Sequence, residues 1–277
     1  MGTFTISQEQ ETLIGSLVAH YEEHRSRYRI FLNALQSHIG EAVGPESGNP
    51  LSKLVHSVRF RLKEPSSLKD KLRRKLEECE KDQVVFPYTV ENLFTEINDL
   101  AGYRILHLHT RQIEEIDNNL KPVLESAHKI LEGPVAKTWD VETRDYYKSL
   151  NMETEENKRM YSSVHYVVQP NSRPPLVTIE IQVRTLADEL WGEIDHKLNY
   201  PHKHKSAACR EEILALARVT SGCSRLVDAI WTTHQEWEQG QPTGVQPQQR
   251  AQEPGAAVSP ETVGPQPAGV PPGPDGG

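Results

Sequence analysis

Four places in the chain carry residues whose types and spacing could do chemistry. Within Thr178–Tyr200, Glu180, Gln182 and Arg184 alternate with Ile179, Ile181 and Val183. A strand points successive side chains to opposite faces, so the acid, the amide and the guanidinium share one face. The row fits a ligand site, and equally a polar edge strand. Arg59, Arg61 and Lys63 alternate in the same way just before Pro65, and Ser66 or Ser67 opens a helix carrying Lys69, Lys71, Arg73, Arg74 and Lys75. Cations converging where a strand meets a helix N-terminus suit a phosphate, which the free N–H groups and the helix dipole also favour. Arg73–Lys75 read better as a solvated basic face. Asp99 stands just before a strand that contains Arg104; an Asp at such a corner also braces turns. Finally, Tyr161, Ser163 and His165 share a strand face, where a lone His is more often a structural hydrogen-bonding group.

The elements that must position these groups follow from periodicity. Strands are predicted at Val55–Lys63, Tyr103–His109, Val135–Val141, Tyr161–Val168 and from Thr178 to Thr185. Thr185 is a candidate N-cap for a helix marked by Leu186, Leu190, Ile194 and Leu198. A capping box at Ser7 and Gln10 opens an amphipathic helix running to about Ile39. Short helical patterns cover Glu91–Asn98, and Arg111–Leu131 with an expected break at Pro122. Arg144–Met160 is polar and acidic and is predicted to be a long loop, a frequent form of functional lid. Asn171–Pro175 is predicted to turn, and Ala207–Trp237 to form a long helix. The expected organisation is an N-terminal helix within 1–43, an α/β domain over 53–237 and a disordered Pro/Gly/Gln-rich tail over 238–277, too poor in large apolar residues to offset the entropy of ordering. The fold class is α/β (α+β): a mixed sheet of about five strands with flanking helices.

Composition bounds the partners. Of 277 residues, 25% are charged and 36% hydrophobic, as in a soluble globular protein with a polar appendage. No apolar run approaches the roughly 20 residues a membrane crossing needs, and MGTFTISQEQ lacks the basic and apolar parts of a signal peptide. Cys79, Cys209 and Cys223 form no close pair and read as reduced thiols, so a cytoplasmic location is expected. The formal net charge of −8 opposes broad nucleic-acid binding but leaves room for a local basic pocket.

Taken in order, Arg61-x-Lys63-x-x-x-Ser67-x-x-x-Lys71, Asp99-Leu-Ala-Gly-Tyr-Arg104, Tyr161-x-Ser163-x-His165 and Glu180-Ile-Gln182-Val-Arg184-Thr185 resemble the synthetase domain of the RelA/SpoT family over about Val55–Tyr200. The resemblance implies a nucleotidyltransferase-like fold and transfer of pyrophosphate from ATP to the 3′-OH of GDP or GTP, with AMP released and (p)ppGpp formed. It implies that Asp99 and Glu180 hold Mg²⁺, with Glu180 also the base for the 3′-OH. Arg61 and Arg104 would sandwich the adenine, and Lys63, Ser67 and Lys71 would contact the ATP phosphates. Tyr161 would stack on the acceptor base, with Ser163, His165, Gln182 and Arg184 in the acceptor pocket. Two departures bear on the acceptor: Met160 stands where the family has Gly, and Glu153, Glu155 and Glu156 make the approach acidic. Family members acting on the tRNA 3′ end or making (p)ppApp share the ATP half of the site, and a non-catalytic nucleotide sensor is a third reading, opposed by the presence of both carboxylates. With no His-Asp hydrolase motif before this region, a stand-alone, synthesis-only protein is expected, and flanking helices of this kind imply a homo-oligomer.

Overall fold

The computed structural model describes residues 6–157, 160–171, 177–200 and 204–240. The predicted turn at Asn171–Pro175 and the predicted tail therefore fall largely outside the described residues.

Helix α1 (Gln8–Val43) opens on the capping box: the Ser7 hydroxyl accepts from Gln10 N–H while the Gln10 side chain accepts from Ser7 N–H. Its apolar stripe, from Ile14 and Leu17 through Tyr21 and Tyr28 to Ile39, is buried in the same core as the sheet. A short helix α2 (Leu51–Leu54) leads into β1 (Ser57–Leu62), and Pro65 at the first turn opens α3 (Pro65–Asp82), where a missing N–H costs no intrahelical bond. Helix α4 (Leu93–Glu96) and a 3₁₀ turn (Asn98–Leu100) precede β2 (Ala101–His107). Helix α5 (Gln112–Ala127) runs through Pro122 without the expected break. The lost hydrogen bond is outweighed by a fully buried stripe of Ile113, Ile116, Leu120 and Leu124. The third strand, β3 (His128–Thr138), starts seven residues earlier than its pattern suggested. Gly133 allows this: it has φ +110°, and a Cβ there would lie 2.4 Å from the His165 carbonyl oxygen.

The stretch predicted as a loop is mostly regular. Asp140 caps α6 (Val141–Ser149) by accepting from Thr143 N–H, and β4 (Glu153–Glu156) pairs parallel to β3. Tyr147 and Met152 anchor the segment in the core. The acidic residues that suggested a loop decorate an edge strand, where charge protects against further pairing. Strands β5 (Ser163–Pro170) and β6 (Ile179–Thr185) and helices α7 (Leu186–Asn199) and α8 (Ala207–Gly240) complete the order. The sheet is mixed, ordered β1-β2-β6-β5-β3-β4, with six strands rather than about five; the addition is β4. Among the described residues, no helix is long and apolar enough to cross a membrane.

Candidate active site

Strands β2 and β6 are parallel neighbours, with Gly102 opposite Glu180 and Arg104 opposite Gln182. The 3₁₀ turn before β2 therefore brings Asp99 to the end of the sheet where Glu180 emerges. Strand β1 pairs antiparallel with β2 and sets Arg61 opposite Gly102. The result is a cavity of about 310 Å³ walled by Arg61, Asp99, Arg104, Glu180 and Gln182, with Glu193 and His196 contributed by α7. A second hollow of about 250 Å³ shares Arg61, Asp99 and His196 with it, and is lined by Lys63, Ser67, Lys71, Arg74 and Tyr200. Asp99 stands between the two.

The electrostatics are those of charges held apart from water. Lys63 Nζ donates to one Asp99 oxygen at 2.8 Å and Lys71 Nζ to the other at 2.6 Å. Burial alone would raise the Asp99 pKa, but the two ammonium groups outweigh it and hold the carboxyl far below its usual range. Lys63 is 8% exposed, and burial pulls its pKa down despite Asp99. Glu180 is bonded on two sides: His165 Nδ1 lies 2.5 Å from Oε1, and Gln182 Nε2 donates to the same oxygen at 3.2 Å. Burial again opposes ionisation, and His165 outweighs it, so Glu180 is a carboxylate at neutral pH. Tyr161 OH sits 3.3 Å from His165 Nε2, forming a chain from Tyr161 through His165 to Glu180. Ser163 joins this chain at its outer end, where its side chain hydrogen-bonds with Tyr161, and its hydroxyl also donates to the Val183 carbonyl within the sheet. The Ser67 side chain borders the second hollow, while the Ser67 carbonyl accepts from Tyr200 OH at 3.0 Å.

Helix α7 supplies what the apolar pattern did not reveal. Leu190 and Leu198, half of the predicted stripe, are exposed, whereas Glu189 and Trp191 are buried. The helix and its C-cap bring Glu189, Glu193, His196 and Tyr200 to the site, a spacing of 4, 3 and 4 that could have marked a second face. Glu189 gathers three guanidinium groups: Arg59 and Arg104, each at 3.0 Å, and Arg184. Arg104 also donates to Glu193 at 2.6 Å. Arg184 is buried, lies 5.6 Å from the Tyr161 ring centroid, and passes so close to α7 that a Cβ on Gly192 would meet its Nη1 at 2.9 Å. Arg73, on the predicted solvated face, pairs with Glu11 of α1, but Arg74 lies over the Tyr200 ring at the second hollow.

Paired carboxylate oxygens at one cavity are the donor set that Mg²⁺ prefers, and Asp99 and Glu180 fit it. Met160, directly before Tyr161, has φ +59°, a left-handed conformation that glycine adopts at no steric cost. It packs beside Tyr161 against Trp191, Ile213 and Ala217.

The family model described as a region found in RelA / SpoT proteins matches residues 60–205. GTP pyrophosphokinase YwaC of Bacillus subtilis (strain 168) is 27% identical over 150 residues, covering 53% of this chain and 59% of that protein. GTP pyrophosphokinase YjbM of the same organism is 33% identical over 105 residues, covering 36% and 46%. The chain thus spans about half the length of these curated relatives. The crystal structure of small alarmone synthetase 1 from Bacillus subtilis bound to its product pppGpp matches with a TM-score of 0.54 at 20% identity, over 78% of this chain and 97% of that one. At that identity the likeness establishes the fold.

Proposed function

The chain belongs to the RelA/SpoT family, and on that footing we propose that it is an ATP-dependent pyrophosphotransferase that carries the β,γ-pyrophosphoryl group of ATP to the 3′-OH of GDP or GTP. The observation that carries the reading is Asp99 standing between two cavities, one shared with Glu180 and the other lined by Lys63, Lys71 and Arg74. A triphosphate needs such a cationic lining, because transfer of a phosphoryl-type group depends mainly on positioning and charge neutralisation.

Lys63, Lys71 and Arg74 bind the phosphate chain, and Ser67 stands at the first turn of α3 beside it. Arg61 and Arg104, both in the cavity wall, sandwich the flat adenine ring. Arg104 does so by exchanging its bonds to Glu189 and Glu193. Tyr161 offers its ring to the acceptor base, with Arg184, Gln182 and His165 around it. Asp99 and Glu180 would hold Mg²⁺, which supplies neutralisation of the phosphate charge when bound. In the reaction the 3′-oxygen loses its proton and bonds to the β-phosphorus. The bond from that phosphorus to the α,β-bridging oxygen breaks, and AMP departs with the bridging oxygen. Glu180 accepts the proton, and the His165 imidazole bonded to it holds the carboxyl in place.

The test uses γ-labelled ATP and Mg²⁺ with GDP, GTP, GMP, ATP or bulk tRNA in parallel, with Asp99→Ala as control. Label moving to GDP or GTP, and lost in the control, is expected. Label moving only to tRNA or to an adenine nucleotide would replace the guanine acceptor, and no transfer to any acceptor would remove the enzymatic reading.

A further inference from the structure

Apart from the residues that line the two cavities, α1 carries a second group of metal-ligating side chains. His20, Glu23 and His24 stand at positions i, i+3 and i+4, which one helix face presents together. One donor atom from each lies within 4.8 Å of the other two. The rings of His20 and His24 are 4.5 Å apart, and both pack on Phe94 of α4, at 4.8 and 5.2 Å. These contacts limit the rotations open to the imidazoles before any ligand arrives.

The nitrogen chemistry is also prepared. His24 Nδ1 lies 2.9 Å from the His20 carbonyl oxygen. A carbonyl can only accept, so Nδ1 carries a proton and Nε2 is the nitrogen left to bind an ion. Fixing the tautomer through a backbone carbonyl is the usual support for a metal-binding imidazole. Glu91, in the turn before α4, adds a second carboxylate to the surroundings of His20.

We propose that His20, Glu23 and His24 form a binding site for a divalent transition ion of the zinc class, separate from the paired carboxylates of the cavity. Two imidazoles and one carboxylate suit zinc, cobalt or nickel and do not suit magnesium, which prefers an all-oxygen shell. Donors around one zinc stand about 3–3.5 Å apart, given metal–ligand bonds of roughly 2 Å, so the three side chains close on the ion by small rotations. The site has a structural reach. Tyr21, next to His20, donates its hydroxyl to the Lys63 carbonyl at 2.6 Å and lies 3.3 Å from the Leu100 carbonyl, so the same helix turn supports both Lys63 and the turn that carries Asp99.

The experiment titrates the full chain with Co²⁺ in excess Mg²⁺ and follows the visible absorption of the bound ion, alongside thermal unfolding with and without Zn²⁺. The wild type is expected to bind one equivalent and to unfold at a higher temperature with zinc. His20→Gln/His24→Gln should lose that equivalent and the thermal shift, and Asp99→Ala should keep both. Because His20 packs on Phe94, the exposed Glu23→Gln serves as the second variant: it leaves the packing untouched and should weaken binding. Stoichiometry unchanged in the double His variant, affinity unchanged in Glu23→Gln, or binding lost in Asp99→Ala would each overturn the assignment.

Discussion

Replacing Asp99 by Asn keeps the shape of the side chain and removes the charge between Lys63 and Lys71. Breaking one partner out of a buried ion pair typically costs about 3–5 kcal/mol. Lys63 is buried, but Asp99 and Lys71 retain partial access to water, so the low end, about 3 kcal/mol at pH 7, applies. The pH dependence identifies the cause. Burial already depresses the Lys63 pKa, and without the acid it falls further. Between that folded value and the unfolded value the unfolded chain binds more protons, so stability rises with pH. The deficit of Asp99→Asn should therefore shrink between pH 7 and pH 9.5 as Lys63 releases its proton in the folded state. Equilibrium urea unfolding of both proteins at the two pH values measures it. Pyrophosphate transfer should stay reduced by about 10²-fold or more at both, because under the proposed assignment of Asp99 to the metal its carboxylate does not return when the lysine is neutralised. A deficit independent of pH would refute the buried-cation argument, and activity that recovered together with stability would refute the metal role.

Gly192→Ala places a methyl group 2.9 Å from Arg184 Nη1. An overpacking cost of about 1–3 kcal/mol is partly offset by about 1 kcal/mol of helix propensity, so the melting temperature should move little while the KM for the acceptor rises and that for ATP does not. Asp188 has its pKa pushed up to about 6, chiefly by burial. Its protonated form is thus favoured by folding, and the stability linked to it is present at low pH and lost as pH rises through about 6. Asp188→Asn mimics the protonated acid and should stabilise the chain by about 2–3 kcal/mol at pH 8, with a smaller gain at pH 5, as followed by thermal unfolding. The exposed Val219, Leu226 and Ile230 of α8 suit a second copy of the chain; Leu226→Glu/Ile230→Glu should then lower the mass in light scattering, and a wild type already monomeric at all concentrations would exclude assembly.

Where a side chain's placement follows from its own strand or cap, the sequence was sufficient. Glu180, Gln182 and Arg184 alternate on β6, and Thr185 caps α7 as its type suggests. What the sequence hides is set by which neighbour an element meets. The leucines of α7 read as its inner face, yet Leu190 is exposed because the helix lies against three arginines and turns Glu189 toward them; opposite charge across chain separations of 130 and 85 residues has no local signature. The acidic run Glu153–Glu156 looks like solvent-exposed loop until β3 supplies Lys137 opposite Glu155. Met160 shows how the two kinds of information combine. Its left-handed backbone costs about 1–2 kcal/mol. In the fold its side chain, unlike a glycine, reaches Trp191, Ile213 and Ala217, and joins the segment before Tyr161 to α7 and α8. The strain and the packing come from one residue, so the conformation that positions Tyr161 is held here from the side-chain direction, where a glycine would leave it to the backbone.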